Sequence, residues 1–309
     1  MKNTFYILIA LVLLMVACGR PSGNAPLSAE LQRAEDLMYP HPDSALHILQ
    51  AMTPPKDELN RATWALLLTQ AKYKCFVDQS DSLVNIAHDY FMKGDDAQRK
   101  ALALYHKAVL LKEKNEVDKA LPYYLQASEE VKLTEDYRLA YLIYSHVGRI
   151  YAYRKLYSYS LSYYHEAIQY AELSKNPFYM GDSFLEAAKG YAIKKEYDEA
   201  LKYYDKAIEV GNIYGENKIS LIALREKAGI YSRQKKYDEA LKIIQEINPS
   251  LLDAPGCQML GNLYYQINQL DSALYYFNKA TDSNIIYTLR SAYQGLYYAS
   301  EKKGEFEQA

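Results

Sequence analysis

The chain has 309 residues, 50% of them hydrophobic, and a formal net charge of −2 at pH 7. That is enough apolar material for a large core, and so weak a charge supplies no global field for nucleic acid or an anionic membrane. Gly (13) and Pro (10) are scarce and Tyr is abundant at 33, a balance that favours long helices, short turns and ring-filled interfaces.

The chain opens with Lys2, an apolar run from Phe5 to Ala17, and then Cys18. A short basic start, an apolar stretch too short to span a bilayer comfortably and small residues at its end read as a secretory signal. Its last residues, Met15-Val16-Ala17-Cys18, resemble the lipobox of bacterial lipoproteins. The resemblance implies a signal peptide over 1–17 and a lipid on Cys18. It places the chain in a Gram-negative cell envelope, with Gly19 favouring the outer membrane over the inner one. Residues 18–28, hydrophilic after the cysteine, then read as a flexible tether between lipid and fold. The other two cysteines, Cys75 and Cys257, lie several repeats apart and are expected to be buried free thiols.

From residue 29 to 309 one pattern recurs. "EYDEALKYYDKA" (196–207) is matched by "EVDKALPYYLQA" (116–127), "LYSYSLSYYHEA" (156–167), "KYDEALKIIQEI" (236–247) and "QLDSALYYFNKA" (269–280). Weaker copies begin at His41 and Gln79, and "GEFEQA" (304–309) opens one more. The anchors Ala45, Leu83, Ala120, Ser160, Ala200, Ala240, Ala273 and Ala309 are separated by 38, 37, 40, 40, 40, 33 and 36 residues. A fixed period of this size is the mark of a repeat array. Within one unit, Phe184, Ala187, Ala188 and Tyr191 share one helix face, and Ala200, Tyr204 and Ala207 share a face of the next. Asp198 is expected to cap the second helix, and "SKNPFYMG" (174–181) to form a long loop.

This unit resembles the tetratricopeptide repeat. "LGNLYY" (260–265) is the nearest copy of the first half of that signature, and "INP" (247–249) carries its proline. The resemblance implies an all-α, right-handed superhelical solenoid of helix pairs. About seven repeats and a partial eighth are expected, with the array stopping short of its native end.

Chemistry is sparse along the chain. The six histidines form no metal-binding spacing, although His106 and His146 occupy the same place in neighbouring repeats. No phosphate-cradling glycine pattern or nucleophile–base pair is present. Adjacent carboxylates such as Asp198-Glu199 do not face each other on a helix. The expectation is no enzyme, no metal, no cofactor and no small-molecule substrate.

In the tetratricopeptide family the inner groove is lined by positions two, five, nine, twelve and thirteen of each first helix. Carried onto this chain, the family pattern implies Lys72, Lys112, Arg149, Lys189, Arg225 and Arg233, interleaved with Tyr105, Tyr153, Tyr265 and Tyr298. Such a basic, aromatic groove suits an acidic extended or helical peptide. Neither Arg149 nor Lys189 is expected to be needed for folding. The reading is a membrane-anchored scaffold that binds a partner protein or peptide and not nucleic acid, and that forms the sensory half of a signalling protein. The alternative is a glycan-binding outer-membrane nutrient-uptake lipoprotein, a class that carries exposed aromatics including Trp; here the single Trp is Trp64.

Overall fold

The structure, a computed structural model, describes residues 26–215, 217–247 and 252–304. The apolar run, Cys18 and the anchor Ala309 lie outside the described residues. Among those described there are fifteen α-helices and no strands, and no helix is long and apolar enough to cross a membrane. The chain divides into two compact units, one through Lys114 and one from Asn115.

The first unit holds α1 (Ala29–Leu37), α2 (Pro42–Ala51), α3 (Glu58–Lys74), α4 (Asp81–Phe91) and α5 (Ala97–Glu113). Ser28, Asp57 and Asp96 cap α1, α3 and α5, each side chain accepting the N–H three residues on. Leu31, Ala34, Ala45, Leu49, Leu67 and Ala71 form one packed cluster, and Ala62, Leu66, Ala87 and Phe91 anchor a second. Trp64 joins both, and its indole N–H donates to the Leu49 carbonyl at 2.9 Å. It is therefore a core ring with a satisfied polar tip rather than a displayed platform.

The second unit begins with α6 (Val117–Val131). Helix pairs follow: α7 (Tyr137–Tyr153) with α8 (Tyr157–Ser174), α9 (Pro177–Ile193) with α10 (Tyr197–Tyr214), and α11 (Asn217–Arg233) with α12 (Tyr237–Gln245). Then come α13 (Ala254–Gln266) with α14 (Leu270–Ala280), and a last helix α15 (Ile286–Lys303). Asp136, Asn176 and Asp253 cap α7, α9 and α13.

The second helices start differently. Asp198 does not cap α10; the N-cap is Glu196, without a side-chain hydrogen bond, and Asp198 lies in the first turn. The joint is instead fixed by backbone. In each pair the residue two before the second helix has left-handed φ: Lys155 (60°), Lys195 (65°), Lys235 (61°) and Asn268 (61°). The next N–H then reaches back five residues, as in Leu156 N–H to Tyr151 O at 2.9 Å and Glu196 N–H to Tyr191 O at 3.0 Å. This is the Schellman closure of the first helix, which needs no side-chain cap. The expected long loop at 174–181 shrinks to Lys175 and Asn176, because Pro177 takes the first turn of α9. The period near 40 goes into helices of 17 and 18 residues.

Where the described residues include them, the alanine anchors are fully buried, and Ala187, Ala188, Ala200 and Ala207 line the close contacts of α9 with α10. Added bulk there overpacks the interface, so Ala200→Leu should cost roughly 1–3 kcal/mol. Lys202→Leu, on the exposed face two residues on, should stay within about 0.5 kcal/mol. Urea melts of the two variants check this; equal losses at both positions would overturn the assignment of faces.

Candidate functional site

The first helices of the second unit carry the groove positions. On α7 and α9 these positions are tied by a network of acids and bases. The Arg149 guanidinium donates to Asp182 Oδ2 at 2.6 Å, and its Nε lies 3.9 Å from Glu186. The Tyr141 hydroxyl donates to the same Asp182 oxygen at 2.6 Å. Glu186 also accepts from Tyr164 Oη at 3.2 Å and from Lys189 Nζ at 3.0 Å. Burial works against the Arg149 charge, but Asp182 and Glu186 outweigh it and raise its pKa. Burial, then the charge of Asp182, raises the Tyr141 phenol, which stays a neutral donor.

This corrects the expectation of a basic groove. Asp182 and Glu186 interleave with Arg149 and Lys189, so these cations are largely matched within the fold. Reversing them would set like charges against two acids, a cost in stability that the expectation left out. Arg225 is likewise matched, donating to Asp253 at 2.8 Å while Asp253 caps α13. Tyr105 is a second correction. It is only 2% exposed and packs edge-on against Tyr73 and His106, so it belongs to the core and not to a groove.

The remaining groove residues are more accessible. Tyr153 is 85% exposed at the end of α7. Tyr265 is covered by the Lys302 ammonium, 4.8 Å from its ring centre, and Tyr298 is exposed beside Tyr297. In the first unit, Lys72 donates to the Asp78 carbonyl at 3.3 Å, and Lys112 is half-buried. Between α9 and α11 lies an open cavity of about 390 Å³. Lys189, Ala192, Ile193, Lys195, Tyr197, Tyr204, Glu226 and Arg233 line it. Of these, Lys195 and Glu226 were invisible to the groove-position pattern. A cavity of about 590 Å³ in the first unit, lined by Arg33, His47, Ile48 and Met52 among others, holds none of the predicted groove residues.

The histidines are built into packing. His146 stacks on Tyr124 with centroids 5.2 Å apart, and His165 meets the Tyr191 hydroxyl at 2.9 Å. Among the described residues no three His, Cys, Asp or Glu side chains gather in a metal-holding group. Cys75 and Cys257 are both free; Cys257 is buried and Cys75 half-buried, and burial raises both thiols.

Two tetratricopeptide-repeat models match the sequence, one over residues 179–247 and one over 254–284. The chain contains tetratricopeptide repeats. No curated protein sequence matches it. Solved structures share the fold at low identity. One is RapI in its apo form, at 14% identity and a TM-score of 0.71, covering 90% of this chain and 82% of RapI. Another is a signal transduction ATPase with a tetratricopeptide repeat sensor from Pyrococcus horikoshii, at 20% identity and a TM-score of 0.66. That match covers 90% of this chain, which spans only 43% of the ATPase. A third is the apo quorum sensor NprR from B. thuringiensis, at 14% identity and 0.61, covering 90% of this chain and 94% of NprR.

Proposed function

We propose that this tetratricopeptide-repeat chain is a non-enzymatic scaffold that holds an extended peptide or protein segment on the repeat faces of its first helices. The observation that carries the reading is the face of α7, α9 and α11. It keeps Arg149, Tyr153, Lys189, Ile193 and Arg233 outside the alanine-packed core and opens a cavity of about 390 Å³ there. Mixed aromatic and charged faces with a few fixed polar groups are what peptide grooves offer. The likeness to NprR, also solved with its cognate peptide NprX, supports the reading at the level of fold. The likeness to the sensor-bearing ATPase supports placing these repeats on the sensory side of a signalling protein. We further propose that Cys18 carries a lipid that tethers the scaffold in a Gram-negative envelope, on the strength of the Met15–Cys18 motif.

Labelled palmitate and affinity capture from membranes test both parts. Wild type should take up label and Cys18→Ala should not; equal labelling would remove the anchor. Capture of the full chain should retain a partner that a Tyr153→Ala, Arg233→Ala variant loses. An identical partner profile from that variant, still folded, would end the groove reading.

A further inference from the structure

The cavity between α9 and α11 is not evenly charged. Lys189 is matched by Glu186 at 3.0 Å. Arg233 and Lys195 are within 4 Å of no carboxylate among the described residues. Glu226 lines the same cavity and precedes Arg233 by seven residues on α11. The Arg233 guanidinium folds back to 3.7 Å from where a Cβ on Gly229 would stand, one turn from Glu226, so the acid offsets part of its charge inside the cavity. Lys195, exposed at the left-handed joint between α9 and α10, lines the cavity as well. Tyr204 lines the cavity with its ring 1% exposed, and burial raises its phenol, so it remains a protonated donor at neutral pH. Ala192 and Ile193 supply an apolar wall beside these groups.

We infer that Lys195, Arg233 and Tyr204 form a pocket for a carboxylate of the bound peptide, with Ala192 and Ile193 receiving an adjacent aliphatic residue. Two cations that outnumber the one acid beside them, with a neutral donor, suit one carboxylate, and Arg offers it a planar fork. The volume lies at the low end for a ligand pocket, enough for an acidic side chain and part of its neighbour. Glu226 opposes a second negative charge, which favours a carboxylate over a doubly charged phosphate. The inference rests on the peptide-scaffold reading and names the chemistry that the scaffold selects.

Short random peptides displayed on phage, selected against the full chain, test it. Wild type should enrich Asp or Glu next to Ile, Leu or Val. A synthetic copy of a selected peptide should bind Lys195→Glu, Arg233→Glu about tenfold more weakly or worse. It should bind Glu226→Gln about two- to fivefold more tightly, a direction that a folding defect cannot produce. The neutral pair Lys195→Gln, Arg233→Gln serves if charge reversal disturbs the fold, and should lose most of the same binding. Selected peptides that ignore all of these changes would overturn the pocket and leave the scaffold standing. No selected peptide at all would overturn both. Inorganic phosphate binding here, with no preference for acidic peptides, would also overturn the pocket.

Discussion

Phe277→Ala should destabilise the second unit by about 3–5 kcal/mol, the upper range for truncating a core ring. Phe277 is 1% exposed on α14, and its ring lies against two glycines, Gly261 on α13 and Gly295 on α15. A Cβ on either would come within 2.5 Å and 2.4 Å of the ring, so the ring occupies the space that side chains would otherwise take. Removing it leaves a void bordered by two residues with nothing to extend into it, and the flanking helices relax only partly. Urea unfolding followed by helicity measures the loss. A cost below about 1 kcal/mol would mean the helices close on the gap. Gly295→Ala runs the test from the other side. Helix propensity favours the change by about 1 kcal/mol, so any net loss must come from the clash.

Acid should weaken the first unit, and His106 should account for most of the slope. Its ring is 1% exposed, packed edge-on by Tyr73 and Tyr105, and neither nitrogen has a hydrogen-bond partner among the described residues. Burial, with the Lys74 charge adding to it, pushes the imidazole down from 6.5 to about 3. The unfolded ring therefore binds a proton that the native ring refuses throughout that interval. Stability is complete above pH 6.5 and falls as pH drops from 6.5 towards 3. The fall is about 1.4 kcal/mol per pH unit. His106→Leu should flatten this slope without loss at neutral pH, since the native ring gives up its water contacts and gains no hydrogen bond. Melts of both chains at several pH values decide it; the same acid slope in the variant would assign the effect to other groups.

Much of the fold was legible because the alanines and tyrosines recur in phase. Ala45, Ala120, Ala200, Ala240 and Ala273 announce where two helices must approach, and burial confirms each. Periodicity names a face but not what the neighbouring helix brings to it. Asp182 and Glu186 stand on α9, two helices on from Arg149 on α7, and nothing in the spacing of cations shows that they meet. Tyr105 failed for a similar reason: a groove position is exposed only where its neighbours leave it so, and here Tyr73 and His106 close over it. The left-handed joints at Lys155, Lys195 and Lys235 left no glycine for a reader to notice. Their signal is the recurrence of a residue five before each anchor, which only the backbone makes meaningful.

The single Trp of the chain, seated on α3 with its N–H bonded to the Leu49 carbonyl, gives the molecule two separate optical reporters. Emission from Trp64 follows the first unit, whereas near-ultraviolet dichroism sums the ordered rings of both units, including the second unit's stacked pairs Tyr141 with Tyr179 and Tyr191 with Tyr203. One unlabelled sample, heated once, therefore shows whether the two units melt together or in turn. Coincident curves are the signature of a single cooperative transition; separated curves would show each unit holding its own structure.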